Sequence, residues 1–121
     1  MSDLAHLFDR LGDPVRAAAY RARVARHRWL NPYYRYELAR RAYAAKRYDE
    51  AIPHLKFAVR ERPKEDRFCS LLSLCYLAKG DLTAARRWLV QARDVAGTVA
   101  LKRTYAAELA ALPASLLTNA H

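Results

Sequence analysis

The sequence predicts an all-α fold: a solenoid of antiparallel helix pairs with about seven helices. Three observations carry this expectation. The chain has 121 residues but only 3 Gly and 5 Pro, too few turn formers for a β-sandwich or barrel. Its 53% hydrophobic content is rich in Ala, the strongest helix former. It also repeats itself at a period of thirty-four residues, a length that marks stacked helix pairs.

The helices are expected at about 2–11, 14–29, 33–46, 48–61, 65–79, 82–95 and 98–111. The first is placed by the repeat, which sets Leu4-Ala5 under Leu38-Ala39 and Gly12-Asp13 under Lys46-Arg47. The second begins at Gly12-Asp13-Pro14, with Asp13 as N-cap and Pro14 at the first helical position. On a helical wheel Val15, Ala18, Ala19, Ala22, Ala25 and Trp29 share one arc. Strict repeat register would put Arg21 at the core place of Leu55 and Leu89. The wheel therefore predicts a shift of one residue, with Ala22 in the core and Arg21 outside.

The third and fourth helices hold the clearest block, from Tyr36-Glu37-Leu38-Ala39 through Tyr48, Ala51, Leu55 and Ala58 to Pro63. The fifth and sixth repeat it: Leu38-Ala39 becomes Leu72-Ser73, and Ala51, Leu55 and Ala58 become Ala85, Leu89 and Ala92. Lys79-Gly80-Asp81 supplies their turn. In the seventh, Leu101, Tyr105, Leu109 and Leu112 recur at helical spacing, and Pro113 stops it. Small residues at repeating places let helix backbones approach, and large ones fill the space between. No single helix can bury its apolar stripe alone, so the pairs must stack.

These residues resemble the tetratricopeptide repeat (TPR) family, most specifically over 32–97 and in all over 2–112. The resemblance implies a single domain over 1–112, made of repeats at about 1–31, 32–65 and 66–97 and a capping helix at 98–112. Residues 113–121 are expected to fray as a C-terminal tail. Two departures stand out. Arg35 and Cys69 occupy the place of a large aromatic early in the first helix of a unit, and Lys46 replaces the inter-helix Gly.

Catalytic chemistry finds no footing. His6, His27, His54 and His121 sit on different elements, and none has a metal-ligand partner at the right spacing. Gly12, Gly80 and Gly97 are isolated, so there is no phosphate loop. The pairs Asp49-Glu50 and Glu65-Asp66 fall at helix starts, where the helix dipole explains them. Cys69 and Cys75 match neither a redox nor a zinc spacing and read as small buried hydrophobes. The chain is expected to be no enzyme and to use no cofactor or metal. It has no transmembrane stretch and no signal-peptide pattern, so a cytoplasmic protein without membrane insertion is expected.

A surface remains. In the TPR family the first helix of each unit lines a concave groove. The matching places here are Tyr33, Tyr36, Arg40 and Tyr43, then Arg67, Ser70, Leu74 and Leu77, with Ser2, His6 and Asp9 in the first unit. Tyr and Arg are enriched at binding hot spots. The Lys and Asn clamp that TPR co-chaperones use for C-terminal carboxylates is missing, since its places hold Tyr36, Arg40, Leu71, Leu101 and Tyr105. Net charge is +10, which attracts acidic surfaces. The expected function is that of a small bacterial-type TPR adaptor or scaffold holding an acidic protein or peptide in the groove. Two alternatives stand beside it. Nucleic-acid binding would use the basic run Arg16, Arg21, Arg23, Arg26 and Arg28. Self-assembly into a homo-oligomer would use the open ends of the stack.

Overall fold

The computed structural model describes residues 2–113. The rest of the expected tail, residues 114–121, lies outside the described residues. Among the described residues there are seven helices and no strand: α1 (Ser2–Arg10), α2 (Pro14–Trp29), α3 (Pro32–Ala44), α4 (Tyr48–Glu61), α5 (Asp66–Ala78), α6 (Leu82–Val95) and α7 (Val99–Ala111). Every expected helix is present. The largest difference is the end of α3, which stops at Ala44 because Lys46 turns into the left-handed region at φ +62°.

Each pair closes on small residues. Ala5, Ala39 and Ser73 are buried at one place of the repeat, and Ala17, Ala51 and Ala85 at the facing place. Their contact is direct in the α5–α6 pair, where Ser73 Oγ donates to the Ala85 carbonyl at 2.8 Å. From the second pair to α7 the core is continuous. One cluster gathers Ile52 and Leu55 of α4 with Leu71, Leu72 and Cys75 of α5. A second joins Cys69, Leu89 and Ala92 to Tyr105 and Leu109 of α7. Val59 and Trp88 pack against both. Burial pushes the Cys69 and Cys75 thiols up to about 11, so both stay protonated and inert near neutral pH. The α3 and α5 helices touch directly while α4 and α6 do not meet. The stack therefore curves with the first helix of each pair inside.

The turns inside the pairs share one construction. Gly12, Lys46 and Gly80 have φ of +70°, +62° and +83°. In each turn this residue's N–H bonds three residues back, and the next N–H bonds five back: Asp13 to Phe8 at 2.9 Å, Arg47 to Ala42 at 2.8 Å, Asp81 to Tyr76 at 2.9 Å. That is a Schellman C-cap, which favours Gly because a Cβ is strained there. Asp13 and Asp81 then cap the next helix, accepting from the Arg16 and Ala84 N–H at 3.0 and 3.1 Å. Arg47 makes no such bond. The middle turn thus has neither the glycine nor the cap.

The first pair differs from expectation. In α2 the buried residue is Ala17, and Ala18, Ala19, Ala22 and Ala25 are exposed, as are Val15 and Trp29. The wheel's reading puts Arg21 outside correctly, but its core place for Ala22 is wrong, because Ala17 keeps the strict register of Ala51 and Ala85. Arg21 holds the register place of Leu55 and pairs with Asp9 of α1, which satisfies its charge at a site too exposed to demand an aliphatic side chain. The apolar arc was real, but α2 lies against α3 over much less surface than α4 lies against α5, so the arc stays open.

What joins the first pair to the rest is a polar cluster. Arg35 of α3 is only 9% exposed. Its guanidinium lies 4.1 Å from the Trp29 ring centroid and 4.4 Å from that of Phe57. Its Nε donates to His54 Nδ1 at 2.8 Å, and Nη1 donates to the Trp29 carbonyl at 3.4 Å. No carboxylate pairs with it among the described residues. Two aromatic faces, each worth about 2 kcal/mol to a desolvated cation, offset its burial. The family's aromatic is thus replaced by a cation that sits between two rings.

Two outcomes follow for stability. Lys46→Gly relieves a left-handed L-residue, and Arg47→Asp supplies the missing cap; each is worth ~1 kcal/mol. The double variant is expected to unfold at higher denaturant, and an unchanged or lower midpoint would contradict the account of this turn. Burial, then the Arg35 charge, holds the His54 pKa below its ordinary 6.5, against an opposing pull from Glu50. The unfolded chain therefore binds the extra proton. The His54 contribution is full above about pH 6.5 and is lost as pH falls through the depressed folded value. His54→Gln keeps an acceptor for Arg35 without titrating, and should flatten the fall in stability between pH 7 and 5.5.

Candidate functional site

The inner surface is built by α3, α5 and α7, whose exposed positions recur at the repeat spacing. Tyr33 and Tyr36 of α3 both lean on Phe68 of α5, with ring centroids 5.4 and 5.1 Å away. Phe68 is fully buried, so it fixes the two tyrosines on a rigid base. The Arg67 guanidinium lies 5.8 Å over the Tyr36 ring. Its Nε donates to Glu65 Oε1 at 3.0 Å, and the Tyr33 hydroxyl donates to Glu65 Oε2 at 3.3 Å. The Arg67 hydrogen bond holds the Glu65 carboxyl below its usual range, so this pair persists into mild acid. Tyr33, Tyr36 and Arg67 thus form one cation–aromatic platform across α3 and α5.

Arg40 is exposed and pairs with Glu37 on its own helix. Tyr43 turns away from the platform. It packs on Tyr48 of α4 at 5.6 Å and is half-buried against the core. In the first pair Asp9 is engaged by Arg21, and exposed His6 borders a crevice of about 260 Å³ with Tyr20 and Val24. The Ser2 side chain lies outside the described residues.

Ser70 and Leu74 belong to a different feature. They line a cleft of about 390 Å³ between α5 and α7, a size in the range of small-ligand pockets. Leu77 and Leu89 wall it on one side, with Ala111 and Leu112 on the other. Leu74 and Leu77 remain 41% and 38% exposed, so the cleft is open. The α7 side was not among the expected site residues. The repeat spacing held the signal, since Leu74 and Leu77 become Glu108 and Ala111 after one further shift. Apart from the cleft lining, α7 is tied to α5 where the Tyr105 hydroxyl donates to Asp66 Oδ2. Burial and the Asp66 carboxylate push the Tyr105 phenol well up, so it stays a donor.

Arg40 and Arg67 each have a carboxylate partner, as do Arg16 and Arg21 of α2 and Arg93 of α6, whereas Arg23 and Arg26 of α2 and Arg86 and Arg87 of α6 have none among the described residues. Also among the described residues, no three His, Cys, Asp or Glu side chains group as a metal site, and no helix is long and apolar enough to cross a membrane.

A family model described as tetratricopeptide repeat matches residues 42–112, and a second of the same description matches residues 2–65. Each covers more than half of the chain. The search of curated proteins gives no match. Repeats of this kind generally mediate protein–protein interaction, and proteins that carry them are typically non-enzymatic scaffolds. With three helix pairs and a closing helix at the repeat register among the described residues, and two matching models, the chain belongs to the tetratricopeptide repeat family.

Proposed function

We propose that the chain is a non-enzymatic adaptor that holds a protein or peptide in the groove lined by α3, α5 and α7. The observation that carries this reading is the platform of Tyr33, Tyr36 and Arg67 on the buried Phe68 ring. It presents aromatic edges and guanidinium donors that are already ordered, so little side-chain entropy is lost on binding. Tyr33 and Tyr36 give apolar contact. Arg40 and Arg67 take carboxylates of the ligand by exchange with Glu37 and Glu65. A guanidinium has five donors, and each of these two uses one nitrogen in its own pair. The +10 net charge adds a long-range preference for acidic ligands. In this reading the units at 1–31, 32–65 and 66–97 and the closing helix 98–112 act as one domain in the cytoplasm.

Unpaired Arg23 and Arg26 favour a second reading, in which the outer face binds nucleic acid. Salt separates the two, since phosphate binding loses orders of magnitude between low and physiological ionic strength. The open ends of the stack keep self-assembly as a third, which light scattering against concentration decides.

The test is capture of partners from nuclease-treated lysate of the source at physiological salt. Arg40→Glu, at an exposed position, is expected to lower affinity for the captured protein about tenfold and to flatten its salt dependence. Unchanged affinity would remove the groove assignment. Capture only without nuclease would move the function to the outer face.

A further inference from the structure

The buried clusters that join the later pairs do not extend to α2 among the described residues. Leu55 and Leu89 are buried at their register place, and in α2 Arg21 stands there instead. Because α2 also lies against α3 over little surface, this place stays open as the crevice of about 260 Å³ on the α1–α2 pair. Its volume is just below the usual range for drug-sized ligands, so it calls for a small molecule.

Three basic side chains line the crevice: His6 of α1 with Arg21 and Arg28 of α2. No carboxylate lines it among the described residues. Arg21 and Arg28 stand two turns apart on one face of α2, about 10 Å along its axis, with Val24 and Ala25 between them. Two guanidinium forks so placed can close on one oxyanion from either side. Arg21 is anchored by Asp9, which does not line the crevice. That pair uses Nη2, so Nε and Nη1 keep their hydrogens for a ligand. The Arg28 guanidinium lies 5.8 Å over the Tyr34 ring and takes part in no ion pair among the described residues. Ala5, Val24 and Ala25 add apolar surface, and Tyr20, set edge-on against Phe8, adds a phenol. A bare anion would leave the apolar surface wet. An apolar molecule alone would cover cations without giving them partners.

We propose that the α1–α2 crevice binds a small amphiphilic oxyanion, a phosphate or carboxylate group carried on an apolar body. Arg21 and Arg28 take the oxyanion, with His6 and the Tyr20 hydroxyl as further hydrogen-bond partners. The apolar body rests on Ala5, Val24 and Ala25. The site is separate from the platform of Tyr33, Tyr36 and Arg67 and does not depend on the groove reading.

The probes are phenyl phosphate, benzoate, inorganic phosphate and benzylamine, each titrated calorimetrically into the full chain. Phenyl phosphate or benzoate is expected to bind about tenfold tighter than inorganic phosphate, the scale for partly burying one ring, and benzylamine not at all. The tighter of the two names the oxyanion. Arg28→Gln leaves the Arg21–Asp9 pair intact and should weaken that ligand about tenfold, the scale of a hydrogen bond to a charged group. Arg26→Gln removes the same charge from another face of α2 and should change affinity less than about twofold. Ala25→Phe, at an exposed position, fills the crevice and should erase the advantage of the ring. Circular dichroism should be unchanged in all three variants. If inorganic phosphate binds as tightly as both aromatic anions, the crevice takes an adventitious ion only and the proposal is overturned. It is equally overturned if Arg26→Gln costs as much as Arg28→Gln, since net charge alone is then being read, or if no probe binds.

Discussion

Close approach of two helices in each pair is the constraint on which the remaining structure depends. Ala5, Ala39 and Ser73 meet Ala17, Ala51 and Ala85 with almost no exposed surface. Any larger side chain at these places would push the backbones apart and undo the packing at Leu55, Leu72 and Leu89. The spacing between pairs, the inward curve and the register of the groove all descend from that contact. Even Arg21 obeys it: Ala17 holds α2 in register, and the exposed arginine at the register place of Leu55 pairs with Asp9.

The family pattern is kept by physical equivalence where residue identity is lost. The place of a large aromatic is filled by Arg35, which works because Trp29 and Phe57 supply the aromatic surface from outside and His54 accepts a hydrogen bond. A glycine place is filled by Lys46, which works because the two Schellman hydrogen bonds are still made. Both exchanges fall in the α3–α4 pair, which packs on α5 through the core on one side and meets α2 through the Arg35 cluster on the other.

Charge and shape are divided between the two faces of the stack. The groove combines compensated arginines with ordered tyrosines and an open aliphatic cleft. The outer face carries unpaired arginines on α2 and α6. A strongly basic composition therefore does not by itself make the groove basic. Arg40 and Arg67 there already have carboxylate partners in Glu37 and Glu65.

The sequence by itself determined the seven helices, their turns and the repeat register, because periodicity, capping residues and small-residue spacing act over short distances. It also singled out Tyr36, Arg40, Arg67 and Leu74 as candidate contacts. Other features depended on contacts across helices. No local pattern says that Tyr33 and Tyr36 rest on Phe68 while Tyr43 turns to Tyr48. None says that Arg35 lies between two rings contributed by α2 and α4. The wheel of α2 failed for the same reason. It measures how apolar a face is, and only the tertiary structure decides whether a neighbour comes to cover it.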